Sequence, residues 1–383
     1  MNKSTWKQQL HKHISCNLTK VAVAAAFGAA TLATMPAMAA EEKVLNVFNW
    51  SEFIADDTIK NFEKETGIKV RYDNYDSNEI LHAKLTAGKT GYDIVVPAAH
   101  WGNLQIQGGL LRKVDKSKLP NLSNLDPAIE AQLSKLDPGN EYLVPWLWGF
   151  TTVAINTAKV KAALGDLPMP ENPWDLVFDV KYISKLKSCG VSFLDAPSDI
   201  LPAALAYIGK DPFSKNASDY LEAGRMLQKV RPYVTLFSTL GYIEDMTNGS
   251  LCATIAWSGD MNVARHRAIE AKNGNDIVTL IPKTGGVLFF DTMAIPADAP
   301  HPENAHLWMN YIMRPDVHAN LTNKVFYATP NAASRKFVKK ELNEDKTIFL
   351  SDADLKKMVA PVSLNNDLRR VATRVYVQFK TGR

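Results

Sequence analysis

The chain has 383 residues, of which 46% are hydrophobic and 22% charged, a balance that excludes wholesale disorder. Its net charge of +4 comes from 44 Lys+Arg against 40 Asp+Glu, and the whole excess lies in Lys3, Lys7, Lys12 and Lys20. Residues 40–383 are therefore neutral, which argues against a nucleic-acid binder and against attachment to anionic lipid by overall charge.

Residues 1–39 read as an export signal. A basic start precedes an apolar run from Val21 to Met35, and Ala37-Met38-Ala39 has small residues in an A-x-A relation. Cleavage is expected after Ala39, or else after Ala40. The apolar run is about fifteen residues, short of the roughly 20 that a spanning helix needs. Cys16 lies before that run and leaves with it. Cys189 and Cys252 remain, so an exported chain suggests one disulfide, or else two unpaired buried thiols. Closing so long a loop would stabilise by roughly 4 kcal/mol in the chain-entropy picture.

Strands and helices then alternate. Val44–Phe48 predicts a strand, and Asp56-Asp57 caps a helix that stops at Gly67. Ile68–Tyr72 is a second strand. Asp76 and Glu79 form a capping box for a helix ending near Gly88. Asp93–Pro97 is a third strand, apolar enough to be buried on both faces. After a turn-rich stretch over 115–141, Tyr142–Asn156 is extended and too long for one ordinary strand, so it reads as a passage between lobes. A second series follows: a strand at Val191–Leu194, helices at Pro202–Ile208 and near 217–230, and strands at Cys252–Trp257 and Ile277–Ile281. Val287–Ile295 is a second crossover. Leu368, Val371, Val375 and Phe379 have helical spacing, with Arg369, Arg370, Arg374 and Lys380 as the solvated face. The fold class is α/β, with two lobes joined by extended crossovers. Lobe 1 is expected over 41–149 and 286–333, and lobe 2 over 150–285 and 334–383. Such an architecture suits an extracytoplasmic receptor that closes by hinge motion.

Enzyme motifs are absent. There is no G-x-S-x-G, no H-E-x-x-H, no phosphate loop and no G-x-G-x-x-G. His100, His266, His301, His306 and His318 do not cluster at metal spacing, so neither metal nor cofactor is expected. Acids beside aromatics at strand ends stand out instead: Asn49-Trp50-Ser51-Glu52-Phe53, Trp257-Ser258-Gly259-Asp260, Phe289-Phe290-Asp291 and Val325-Phe326-Tyr327. Open α/β sheets bind ligands at the carboxyl ends of their strands. Aromatic faces attract an ammonium by roughly 0.5–2 kcal/mol each, and a carboxylate adds a charge-assisted hydrogen bond.

The same segments carry a family resemblance. FNWSEFIADDTIKNFEKETGIKV, YDIVVPA, LKSCGVSFLDAP, NGSLCATIAWSGD, FFDTMAIPADA and VFYATPNAA resemble the periplasmic putrescine receptors of bacterial polyamine ABC transporters, over nearly all of 43–383. The resemblance implies a type II-like, two-lobed periplasmic binding protein with a polyamine in the interlobe cleft, acting as a monomer with an inner-membrane permease. It carries ligand contacts onto Trp50, Ser51, Trp257, Asp260, Phe289, Asp291 and Tyr327, and a disulfide onto Cys189 and Cys252. Four further contact positions depart from the family's common residues: Glu52 stands for Asp, Phe53 for Tyr, Ala98 for Ser and Asp199 for Glu. Two hydroxyls are missing and two carboxylates change length. The large His100 and Trp101 are expected either to narrow that side against a long polyamine or to offer an added polar contact, and a diamine is favoured over a longer polyamine or agmatine. An amine sensor would share the same cleft, and an exported amine-acting enzyme is the rival from another class.

Overall fold

The computed structural model describes residues 41–383. The expected signal peptide 1–39, with Cys16 and the cleavage site, lies outside the described residues. Among the described residues no helix is long and apolar enough to cross a membrane.

The strands in chain order are β1 (Val44–Trp50), β2 (Lys69–Tyr75), β3 (Ile94–Val95), β4 (Leu111–Arg112), β5 (Val144–Asn156), β6 (Val191–Phe193), β7 (Leu236–Phe237), β8 (Ala253–Trp257), β9 (Ile277–Leu280), β10 (Leu288–Met293) and β11 (Ile295–Pro296). β1 pairs in parallel with both β2 and β3, and this central position buries Leu45, Val47, Phe48 and Asn49. The first helix, Thr58–Thr66, stops at Gly67, whose φ of 71° lies in the left-handed region that glycine supplies without steric cost. The second helix, Asn78–Ala87, starts one residue later than its predicted box. Ser77 is the cap, accepting from the Ile80 N–H at 3.2 Å. Asp76 is thereby left free of the helix and accepts a hydrogen bond from the Ser51 hydroxyl.

The passage predicted over Tyr142–Asn156 is one strand of 13 buried residues, β5. Its length has a physical reason, because its two halves serve different partners. Val144–Phe150 pairs with β10, while Thr151–Asn156 pairs with β8 and β9, all antiparallel. The sheet runs β10-β5-β8-β6-β7, and β6 is parallel to both β7 and β8. β11 pairs with β4.

One core gathers Val153, Phe193, Ile255 and Phe379; others gather Leu45, Phe62, Ile94 and Trp308, and Phe48, Leu81, Leu143 and Phe349. Val338, Leu342, Ile348 and Met358 belong with that last group. The helix predicted at Pro202–Ile208 spans Pro197–Tyr207. Pro197 fills the first position, where its missing N–H costs nothing, and Pro202 lies inside. This extra turn carries Asp199. The tail helix, Asn366–Thr381, buries Leu368, Val375 and Phe379 as its spacing predicts. Its polar face is not uniformly solvated: Arg370 and Arg374 are exposed, but half-buried Arg369 lies over the Trp101 ring at 5.5 Å and Lys380 pairs with Asp195. Cys189 and Cys252 form a disulfide.

Candidate functional site

The carboxyl ends of the parallel strands face one cavity of ≈ 620 Å³, part of it open to solvent. Trp50 ends β1, Tyr75 ends β2 and Asp76 follows it. Ala98 follows β3, and Trp257 ends β8. Asp199 and Asp260 lie in the first turns of the helices after β6 and β8, Pro197–Tyr207 and Ser258–Ala271. Of the sequence-predicted site residues, Trp50, Ser51, Phe53, Ala98, Asp199, Trp257, Asp260, Phe289, Asp291 and Tyr327 all line this cavity.

Glu52 does not. Its backbone is left-handed, with a φ of 55°, which turns the side chain outward to an exposed ion pair with Arg267 at 2.7 Å. In this structure Glu52 is thus outside the cavity lining, while its charge still acts on Asp260.

The aromatic walls are held by contacts with one another and with the backbone. The Trp50 indole donates to the Val96 carbonyl at 2.9 Å, and its ring meets Tyr75 at 4.7 Å and the edge of Trp257 at 5.8 Å. Phe53, lacking a hydroxyl, is buried edge-on against Tyr327 at 4.9 Å. Phe289 lies 6.0 Å from Tyr327.

The acids differ in how they are held. Asp199 accepts from the Trp257 indole at 2.9 Å and the Thr151 hydroxyl at 3.0 Å. Asp260 accepts from Tyr327 at 2.6 Å on one oxygen and from Tyr242 on the other. Burial pushes the Asp260 carboxyl up to about 6, against the lowering effect of both phenols. Burial also raises Asp199, against its own hydrogen bonds. Asp291 sits where the β10 register against β5 shifts, an irregularity of the kind that re-aims side chains. Among the described residues nothing donates a hydrogen bond to its side chain. Burial first, then the Asp199 and Asp260 charges, hold its carboxyl well above the usual carboxylate range.

Sequence reasoning missed Tyr75, Asp76, Asn78, Thr239, Leu240 and Ile243 in the lining. Tyr75 and Asp76 obey the strand-end rule and could have been found by applying it to β2. The other four had no comparable signal, since β7 is only two residues long and the second helix starts later than its box. The cavity thus holds four carboxylates, with no Lys or Arg in its lining. Burial lowers His100 to about 4, so its ring is neutral. Such a site complements a cation with an apolar body.

Residues 57–349 match the family described as bacterial extracellular solute-binding protein. The chain is 44% identical to the putrescine-binding periplasmic protein PotF of Escherichia coli, across 93% of this chain and 96% of that one. It is 46% identical to the putrescine-binding periplasmic protein SpuD of Pseudomonas aeruginosa, across 91% and 94%. Its fold is similar to the crystal structure of the spermidine/putrescine ABC transporter substrate-binding protein PotD of Streptococcus pneumoniae, with a TM-score of 0.72 and 25% identity, over 89% of this chain and 99% of that one. With these likenesses covering nearly all of the described residues, the chain belongs to the bacterial extracellular solute-binding proteins, two-lobed periplasmic receptors rather than enzymes.

Proposed function

We propose that this receptor captures a putrescine-like diamine and hands it unchanged to an inner-membrane ABC permease. The observation that carries this reading is the charge of the cavity: four carboxylates, aromatic walls and no lining Lys or Arg. The names of the two relatives above support it. One ammonium pairs with Asp260 and Asp291, and the other with Asp199. The methylene chain lies among Trp50, Trp257, Phe289 and Tyr327. Both ends need partners, because an unpaired ammonium in a closed cleft keeps its full desolvation cost. The bulk of His100 in the lining supports a diamine over a longer polyamine.

The working unit is a monomer with no nucleic-acid partner. Its first lobe comprises 41–149 and 286–333, and its second 150–285 and 334–383. The packing of Val338–Met358 with Phe48 and Leu81 supports moving 334–358 from the second lobe to the first. Calorimetry on the refolded, ligand-stripped protein tests the ligand. Putrescine is expected to bind more tightly than cadaverine, agmatine, spermidine, spermine or common amino acids. Stabilisation by a neutral or anionic solute, with none by any amine, would overturn the reading.

Two variants probe the cleft's geometry. A Cβ on Gly259 would come within 2.3 Å of the Tyr327 ring, so Gly259→Ala must displace the ring and its bond to Asp260. Losing a hydrogen bond to a charged group costs about 1.5–3 kcal/mol, so putrescine affinity should fall by roughly ten- to a hundredfold. Glu52→Ala removes an exposed ion pair with Arg267 and a distant charge that slightly raises the Asp260 carboxyl. Such pairs contribute about 0.2–1 kcal/mol, so affinity should change less than about fivefold. Titration calorimetry reads both, and a larger loss for Glu52→Ala than for Gly259→Ala would reverse this picture of the rim and the floor.

A further inference from the structure

A second cavity, of ≈ 640 Å³ and partly open to solvent, adjoins the first, and His100 lines both. Its walls come from both sides of the cleft: Trp101 on helix Ala99–Gln107, Leu201 on helix Pro197–Tyr207 and Arg369 on the tail helix. Phe213 and Leu364 complete an apolar surface. Into this surface are set one acid, Glu79, and one base, Arg369. They do not pair with each other. Arg369 donates to the Asn366 side chain and lies over the Trp101 ring, while desolvation works against its charge. Burial raises the Glu79 carboxyl, although the Ser77 hydroxyl and its own backbone N–H lower it. Trp101 is only 8% exposed, and its indole N–H has no acceptor.

Each simple class of ligand leaves part of this wall unmatched. An apolar molecule would leave both charges desolvated. A plain amine would face Arg369, and a plain anion would face Glu79. A small molecule carrying both charges on an apolar body satisfies all three features. We propose that this cavity is a second binding site, for an α-amino acid with an apolar side chain. The carboxylate faces Arg369, the ammonium faces Glu79, and the side chain rests on Leu201, Phe213 and Leu364. This goes beyond amine capture and does not depend on it. Because the occupant bridges elements on both sides of the cleft, it favours the closed arrangement. It should therefore raise amine affinity, and the amine should raise its affinity by the same factor.

The test is titration calorimetry of the ligand-stripped protein with L-leucine and L-phenylalanine, with and without saturating putrescine. At least one amino acid should bind with unit stoichiometry, and putrescine should tighten that binding. Leucine amide and N-acetylleucine, each lacking one charge, should bind at least roughly tenfold more weakly, the scale of one charge-assisted contact. Arg369→Met and Glu79→Gln should weaken leucine similarly, while Asp291→Asn should lose putrescine and keep the amino acid. No heat from either amino acid would overturn the proposal. So would equal binding of leucine amide, which would mark an amine subsite, or displacement of the amino acid by putrescine, which would place it in the first cavity. The comparator ligands need no variant to fold, and failure of putrescine to bind leaves the amino-acid titration readable.

Discussion

Asp291→Asn is expected to lower putrescine affinity by two to three orders of magnitude and, at the same time, to raise the melting temperature of the ligand-free protein. The loss follows from burial. Removing one partner of a buried charge pair costs about 3–5 kcal/mol, because the ligand's ammonium is left desolvated and unmatched. The gain follows from the empty state. The Asp291 carboxyl is held well above its ordinary value by burial and by Asp199 and Asp260. A folded-state pKa above the unfolded one means that stability is fully present below about pH 4 and is lost as pH rises toward the folded value. The amide carries no such penalty at neutral pH. Scanning calorimetry of the empty protein and titration of the ligand read the two effects separately. A variant that binds putrescine within about fivefold of the parent would remove Asp291 from the site. Asp260→Ala combined with Asp291→Ala should abolish binding with the fold intact.

The same carboxyls set a pH dependence. Burial raises the Asp260 carboxyl to about 6. A bound ammonium favours the carboxylate, so binding near and below that pH must release protons, and affinity must fall as the carboxyl protonates. Putrescine should therefore bind more weakly at pH 5 than at pH 8, with an apparent enthalpy at pH 5 that depends on the buffer's ionisation heat. An affinity unchanged across that range would contradict the placement of an ammonium against Asp260.

The second large effect concerns the fold. Replacing Cys189 and Cys252 with serine opens a loop whose ends are 63 residues apart in sequence. The chain-entropy picture puts the loss at about 4 kcal/mol. At roughly 2–4 °C per kcal/mol for domains of this size, the melting temperature should fall by roughly 8–16 °C. Putrescine affinity at low temperature should be nearly unchanged. The cysteines precede β6 and β8, whereas Asp199, Trp257 and Asp260 lie at or beyond the opposite ends of those strands. A large affinity loss with little thermal effect would mean that the disulfide shapes the cavity rather than the stability of the lobe.

How much of this was legible depended on the range of the interaction. Trp50 and Trp257 were readable because each ends a strand whose apolar run is local, and Asp260 because it opens the helix that directly follows Trp257. The start of the second helix was misread by one residue, because Asp76 and Ser77 can both cap. Their choice depends on Ser51, which lies on a different strand end and donates to Asp76. The solvated face of the tail helix was misread at Arg369 because helical spacing carries no information about Trp101 across the cleft.

The sequence by itself determined the alternation of strands and helices, the cysteine pair, the neutral balance of residues 40–383 and the residue types suited to a cation. These rest on local periodicity, on composition and on motifs with short spacing. Only the tertiary structure decided which acids share one cavity, that Glu52 turns to Arg267, that Tyr242 and Tyr327 divide the two oxygens of Asp260, and that Glu79 and Arg369 face a second cavity. Those outcomes depend on through-space distance and on loss of water around groups far apart in the chain. Neither quantity exists until the lobes have packed.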